Sequence, residues 1–210
     1  SAYVAGGPLG GDDNIYGGVG DTVDNLFGED GNDIFWADPA ADGVDVITAG
    51  AGTDTVTYEL RTPAVSPIVT VAVTVGTAGA EENIKNDVEV LIGSDGDDTL
   101  AFTATMTGTL TIDGKNGINT ITGSLAASNV LTGGTGVDTI TGGNSADTIK
   151  AGADNDVIDA KGGGDYIEGG AGNDNITCGA GDDIAYGEAG TDTINGDDGA
   201  DYISGGDDAD

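Results

Sequence analysis

Residues 133–204 read GGTGVDTIT, GGNSADTIK, AGADNDVID, AKGGGDYIE, GGAGNDNIT, CGAGDDIAY, GEAGTDTIN and GDDGADYIS, eight abutting units of nine residues. A ninth begins at Gly205 and reaches its sixth place at Asp210. The sixth place is always Asp, and the eighth is Ile except at Ala185. A period of nine suits no amphipathic helix. It suits a six-residue glycine-rich turn followed by a three-residue strand whose middle side chain points inward. Two units then close one coil. Ile140, Ile158, Ile176 and Ile194 form one inward column, and Ile149, Ile167, Ala185 and Ile203 form the facing one. The fold class expected is therefore all-β, a parallel solenoid with a core one side chain deep.

The acidic column sets the chemistry. Asp138, Asp156, Asp174, Asp192 and Asp210 stack along one side of the coil, and Asp147, Asp165, Asp183 and Asp201 along the other. Stacked coils repeat at the strand spacing, roughly 4.8 Å, at which like charges repel. A divalent ion between them removes the conflict. The repeats offer carboxylates and turn carbonyls, with no imidazole and one thiol, Cys178. Such a set selects a hard cation that accepts irregular coordination, calcium before magnesium.

This pattern resembles the RTX, or haemolysin-type calcium-binding, nonapeptide GGxGxDxUx. The resemblance implies a parallel β-roll with each calcium between same-side turns of successive coils, held by sixth-place Asp and by carbonyls of the first turn positions. Carried over, a site between the units starting at Gly169 and Gly187 uses Asp174 and Asp192 with the carbonyls of Gly169, Ala171, Gly187 and Ala189. Gly133 and Thr135 are the corresponding carbonyl donors in the first regular unit. Nine motifs paired two apart give about seven sites in 133–210. Ser145 and Asp154 replace the fourth-place Gly, so those turns are expected to be distorted.

Composition excludes much else. Of 210 residues, 38 are Asp or Glu, 5 are Lys or Arg and none is His, for a net charge of −33. Without histidine there is no HExxH zinc site and no Ser/His/Asp or Cys/His pair. With so few cations, neither nucleic acid nor an anionic membrane is an expected partner. No run is long and apolar enough to insert into a bilayer, and Ser1–Gly11 lacks the pattern of a secretory signal. A single Cys forms no internal disulfide; Cys178 reads as an inert small residue on a turn. The chain is not expected to be an enzyme.

Outside the regular repeats the signal weakens. Residues 1–57 carry degenerate copies with Asp13, Asp24, Asp33, Asp45 and Asp54 in the sixth-place role, GEDGNDIFW (28–36) and AGAGTDTVT (49–57) being the best. Fewer calcium ions are expected there, chiefly near Asp33 and Asp54. Residues 58–92 abandon glycine for the alternating run Ile68–Val75 and then Val88–Ile92, which reads as a short β-rich insert with its own small core. GSDGDDTLA (93–101) restores the motif through Asp98. Residues 102–132 then keep strand residues but put Asn119 and Asn129 where Asp belongs, so 93–132 reads as a metal-poor continuation in which amides hydrogen-bond across coils.

The function expected is a calcium-binding module that folds on export, a structural part of a bacterial secreted or cell-surface protein such as an S-layer component, adhesin or extracellular filament. By the resemblance, type I secretion is its route. The alternative is the carboxyl-side roll of an exported enzyme or toxin whose catalytic domain lies elsewhere. An outward row of Tyr166, Ile184, Tyr186 and Tyr202 suggests self-assembly or docking of a neighbouring domain.

Overall fold

The computed structural model describes residues 3–5, 10–17, 24–36, 45–59, 72–74, 82–84, 88–102 and 108–207. The described residues form a parallel β-solenoid of about eight turns. No helix occurs among them. Numbered along the chain, the strands fall into three sheets. The longest has ten strands: β2 (Asn14–Tyr16), β4 (Ile34–Trp36), β6 (Thr55–Thr57), β9 (Val90–Ile92), β11 (Thr109–Asp113), β13 (Ser128–Thr135), β15 (Thr148–Ala153), β17 (Tyr166–Ala171), β19 (Ile184–Ala189) and β21 (Tyr202–Gly206). A seven-stranded sheet holds β7 (Ala72–Thr74), β10 (Thr99–Ala101), β12 (Thr120–Thr122), β14 (Thr139–Thr141), β16 (Val157–Asp159), β18 (Asn175–Thr177) and β20 (Thr193–Asn195). A four-stranded sheet holds β1 (Tyr3–Ala5), β3 (Asn25–Asp30), β5 (Asp45–Ala51) and β8 (Glu82–Ile84).

Register follows the repeat. Ile140 pairs with Ile158, Ile158 with Ile176 and Ile176 with Ile194. On the ten-stranded sheet Leu131, Ile149, Ile167, Ala185 and Ile203 lie in one row. Both columns expected from the period of nine are thus present. Their members from Leu131 to Ala185 are buried, because a strand of three exposes its first and third side chains and turns the second inward. Ala185 is small because unit 178–186 carries its isoleucine one place early; Ile184 is left 40% exposed.

Between 58 and 92 the described strands all hydrogen-bond to strands of the repeats: β7 pairs with β10, β8 with β5, and β9 with both β6 and β11. Val88 and Leu91 belong to the same continuous core as the repeat isoleucines. Residues 68–71 and 75 of the alternating run lie outside the described residues, as do 18–23 and 37–44, where the N-terminal spacing is irregular. Asp210 lies outside them too.

Candidate metal centres in the turns

Each sixth-place carboxylate of the roll is pinned by one oxygen. The amide N–H of Asp138 donates to Asp156 Oδ1 at 2.7 Å, that of Asp156 to Asp174 Oδ1 at 2.8 Å, and that of Asp174 to Asp192 Oδ1 at 2.8 Å. On the other side Asp147 donates to Asp165, Asp165 to Asp183 and Asp183 to Asp201, at 2.8, 2.7 and 3.1 Å. The N-terminal copies do the same: Asp13 donates to Asp33 and Asp33 to Asp54, both at 2.9 Å. A second ladder runs the opposite way through the fifth place, where the amide of Asn173 donates to Asn155 Oδ1 and that of Thr191 to Asn173 Oδ1. Neighbouring coils are therefore stitched from both directions.

The other oxygen is what matters for a ligand. Oδ2 of Asp33, Asp138, Asp156, Asp165, Asp174 and Asp183 is buried with no hydrogen-bond partner. A buried acceptor left unpaired costs roughly 1–3 kcal/mol, more when charged, so these six mark places suited to a cation: Asp138, Asp156 and Asp174 on one side of the roll, Asp165 and Asp183 on the other, and Asp33 in the N-terminal copies. Burial raises the affected carboxyls. Asp156 is pushed up to about 7, with the charges of Asp138 and Asp174 adding to the burial; Asp138 and Asp165 are pushed up to about 6, and Asp174 is raised by burial as well. The amide bonds to Oδ1 oppose these shifts without cancelling them.

Glycine at the first place shapes the space beside that oxygen. A methyl carbon built on Gly133 would stand 2.4 Å from Asp138 Oδ2 and 2.5 Å from the Ala151 carbonyl oxygen. On Gly169 it would meet Asp174 Oδ2 at 2.6 Å and the Gly187 carbonyl at 2.9 Å, and on Gly28 it would meet Asp33 Oδ2 at 2.2 Å and the Ala49 carbonyl at 2.3 Å. A carboxylate oxygen and the first-place carbonyl one coil on thus converge beside the glycine, the kind of oxygen-only set that calcium takes. At the turns of Asp156, Asp165 and Asp183 the first place is Ala151, Ala160 or Cys178. Among the described residues no three acidic, His or Cys side chains gather around one point. An ion here must draw several ligands from backbone carbonyls, as a hard, adaptable cation does.

The remaining candidates divide. The carbonyls of Gly187 and, more loosely, Gly133 face such a convergence, the latter with Asn119 in place of Asp. The Ala189 carbonyl also accepts the amide of Gly172 at 2.8 Å, using one of its two lone pairs. Thr135, Gly169 and Ala171 sit at their expected turn places within β13 and β17. Asp192 keeps the register, being 5% exposed, and Asp201 is less covered. Asp24 and Asp45 lead into or begin strands of the four-stranded sheet, the alternate side from Asp13, Asp33 and Asp54, as two units to a coil require; the Asp24 carbonyl accepts the Val46 amide as sixth-place residues do elsewhere. Asp98 keeps its place in the column of Asn119 and Asp138, and Asp147 in that of Asp165, yet their Oδ2 atoms accept backbone amides, from Ser94 and Gly143, at 2.7 Å each.

One member of the column escaped the sequence reading. Asp54 N–H donates to Glu89 Oε2 at 2.9 Å, so Glu89 takes the sixth-place role ahead of β9. The signal was the acid followed by Val90-Leu91-Ile92, a strand triplet with a central leucine; no glycine turn precedes it. Cys178 is a buried free cysteine whose thiol burial pushes up to about 11, with Asp183 and Asp201 adding to the effect, which keeps it from reacting as a thiolate.

The family model described as RTX calcium-binding nonapeptide repeat matches this chain in overlapping copies over residues 9–44, 40–59, 86–101, 124–158, 132–166, 151–184, 159–194 and 179–210, well over half of its length. No curated protein matches the chain.

Proposed function

Because the chain belongs to the RTX calcium-binding nonapeptide-repeat family, a calcium-binding β-roll, we propose that it serves as a structural module of a bacterial secreted or cell-surface protein and folds on meeting calcium outside the cell. The observation that carries this reading is the two columns of buried, partnerless second oxygens, on Asp138, Asp156 and Asp174 and on Asp165 and Asp183. The residues that would hold ions are these aspartates, together with Asp33 and the carbonyls of Ala151, Gly187 and Ala49 that converge on Asp138, Asp174 and Asp33. Calcium supplies the positive charge that a chain of net charge −33 lacks.

Extracellular calcium modules bind at about 0.1–1 mM, so ligand-coupled stability follows the compartment. A chain kept expanded inside the cell suits passage through a narrow exporter of the type I kind. An S-layer, adhesin or filament setting draws support from the outer face of the ten-stranded sheet. There the rings of Tyr166 and Tyr186, and of Tyr186 and Tyr202, stand 5.9 Å apart beside exposed Ile184, a stripe suited to a second copy or a neighbouring domain. The roll of an exported enzyme or toxin is the alternative. Circular dichroism during a calcium titration tests the mechanism: a cooperative gain of strand signal, reversed by EDTA, is expected. Equal order before and after exhaustive chelation sinks it.

A further inference from the structure

We propose that four turns between residues 93 and 147, those carrying Asp98, Asn119, Asn129 and Asp147, are calcium-free, closed by the chain's own amide and hydroxyl groups, while the Asp138 turn among them keeps its open oxygen, and that the coils of these four turns stay folded when calcium is withdrawn. The inference rests on the reading of the sixth place as the ligand position, and concerns where that reading stops applying.

At all four turns the atom that would face an ion is already bonded. Asp98 Oδ2 accepts the Ser94 amide at 2.7 Å, and the Ser94 hydroxyl reaches Oδ1 and Oδ2 at 3.0 and 3.2 Å. Asn119 accepts the Asp98 amide at Oδ1, while its Nδ2 donates to the carbonyls of Gly117 and Gly133 at 3.3 and 3.4 Å. Asn129 Oδ1 accepts the Ser124 amide, and its Nδ2 donates to the carbonyls of Ser124 and Ala127 and to Asp147 Oδ1. Asp147 Oδ2 accepts the Gly143 amide at 2.7 Å. Asp98 Oδ2 and Asp147 Oδ2 still converge with the Gly114 and Ala160 carbonyls beside Gly93 and Gly142, as at the open turns; what differs is the N–H already on the carboxylate oxygen, or the amide nitrogen set against a carbonyl, which satisfies the acceptor that would otherwise draw a cation.

At three of the four turns the cause is in the backbone; the Asn119 turn keeps left-handed second and fourth places, Lys115 (φ 70°) and Gly117 (φ 103°), and is closed by its amide side chain alone. In the open turns the second and fourth places lie in the left-handed region, as at Gly134 (φ 112°), Gly136 (φ 109°), Gly152 (φ 119°) and Asp154 (φ 80°). Ser94, Ser124, Gly143 and Ser145 are not in that region. Where the second place keeps an ordinary φ, its N–H turns onto the sixth-place side chain; this happens at Ser94, Ser124 and Gly143 alike. Ser145 carries a Cβ that disfavours positive φ, and its turn stacks on the glycine-free Ser124–Ala127 turn, with Ser145 Oγ donating to the Ala126 carbonyl. Asp154 shows that a lone substitution does not suffice: it stacks on Gly136 and takes the left-handed angle.

Apolar burial replaces the ion's contribution. Beyond the eighth-place residues Leu91, Leu100, Ile112, Ile121 and Leu131, these coils bury Phe102, Leu110 and Ala127, all at 2% exposure or less.

The test uses the whole chain with calcium chloride as the probe. Equilibrium dialysis should give Asp98→Asn and Asp147→Asn the parent's number of ions, whereas Asp156→Asn and Asp165→Asn each lose at least one. Hydrogen exchange in EDTA should leave the amides of 120–122 and 130–132 protected while those of 175–177 and 184–186 exchange freely. An ion lost by Asp147→Asn as by Asp165→Asn overturns the proposal, and so does joint loss of protection in both regions. If no variant loses an ion, the ligand assignment itself fails, and the exchange pattern alone decides whether the middle coils stand without metal.

Discussion

The amide of Asp138 donates to Oδ1 of Asp156 across one coil at 2.7 Å, while Oδ2 of the same Asp156 carboxylate is buried with no partner. One side chain thus has a structural half and a ligand half. The two are separable by substitution.

Asp156→Asn retains a carbonyl oxygen for the Asp138 amide but replaces the ligand oxygen by an NH2 group, so it loses the ion yet in saturating calcium should cost less than Asp156→Ala. The alanine variant leaves a buried N–H unpaired, worth about 1–3 kcal/mol beyond the lost ion. Urea unfolding with calcium present measures both. Equal destabilisation would show that the amide bond contributes nothing.

The direction of the carboxyl shifts fixes the pH response. Asp138, Asp156 and Asp165 have folded-state values raised to about 6, 7 and 6, above the unfolded value of about 3.9. In EDTA their contribution to stability is therefore fully present below pH 4 and lost as pH rises through 6–7. With calcium the sign reverses, since the ion requires the ionised form. Calcium release should begin as pH falls through 7 to 6, well above the range of an ordinary aspartate. Thermal melts at pH 5 and pH 8, with and without chelator, show whether the two trends cross; parallel trends contradict the assignment.

Backbone strain predicts changes of opposite sign at two second-place residues. Glu188 holds φ 75°, a left-handed angle. Glu188→Gly relieves roughly 1–2 kcal/mol, offset to some extent by the flexibility glycine adds to the unfolded chain, for a net gain of up to about 1 kcal/mol. Gly152 also has a left-handed angle, and a Cβ there would lie 2.1 Å from the Gly134 carbonyl oxygen. Gly152→Ala should lower stability by more than about 2 kcal/mol. Chemical denaturation in calcium reads both.

The tyrosine stripe yields an association test. Tyr166 and Tyr202 are 36% and 58% exposed, and Tyr166 donates its hydroxyl to Glu168 at 2.7 Å. Replacing both by Ser leaves the inward column intact, so folding should persist. Self-association, read by sedimentation velocity in calcium, should weaken. Unchanged sedimentation would rule the stripe out as an interface.

The period of nine, the two inward columns and the hard-cation chemistry were legible in the sequence because each depends on which residue occupies a fixed place in a short, local unit. Glu89 was hidden, since its membership is defined by the Asp54 amide that reaches it from 35 residues away. For Asp147 the sequence marked a distorted turn through Ser145, but not that its carboxylate oxygen would meet the Gly143 amide while that of Asp165 is left open. Whether a carboxylate oxygen faces a cavity or an N–H depends on the φ of the second place, and that angle is set by the turn stacked on it as much as by its own residue. Composition and spacing determined that this chain binds calcium as a roll; only the stacking of coil on coil decided which of its oxygens are left open, because an N–H swung into place by a neighbouring turn satisfies a carboxylate as a cation does.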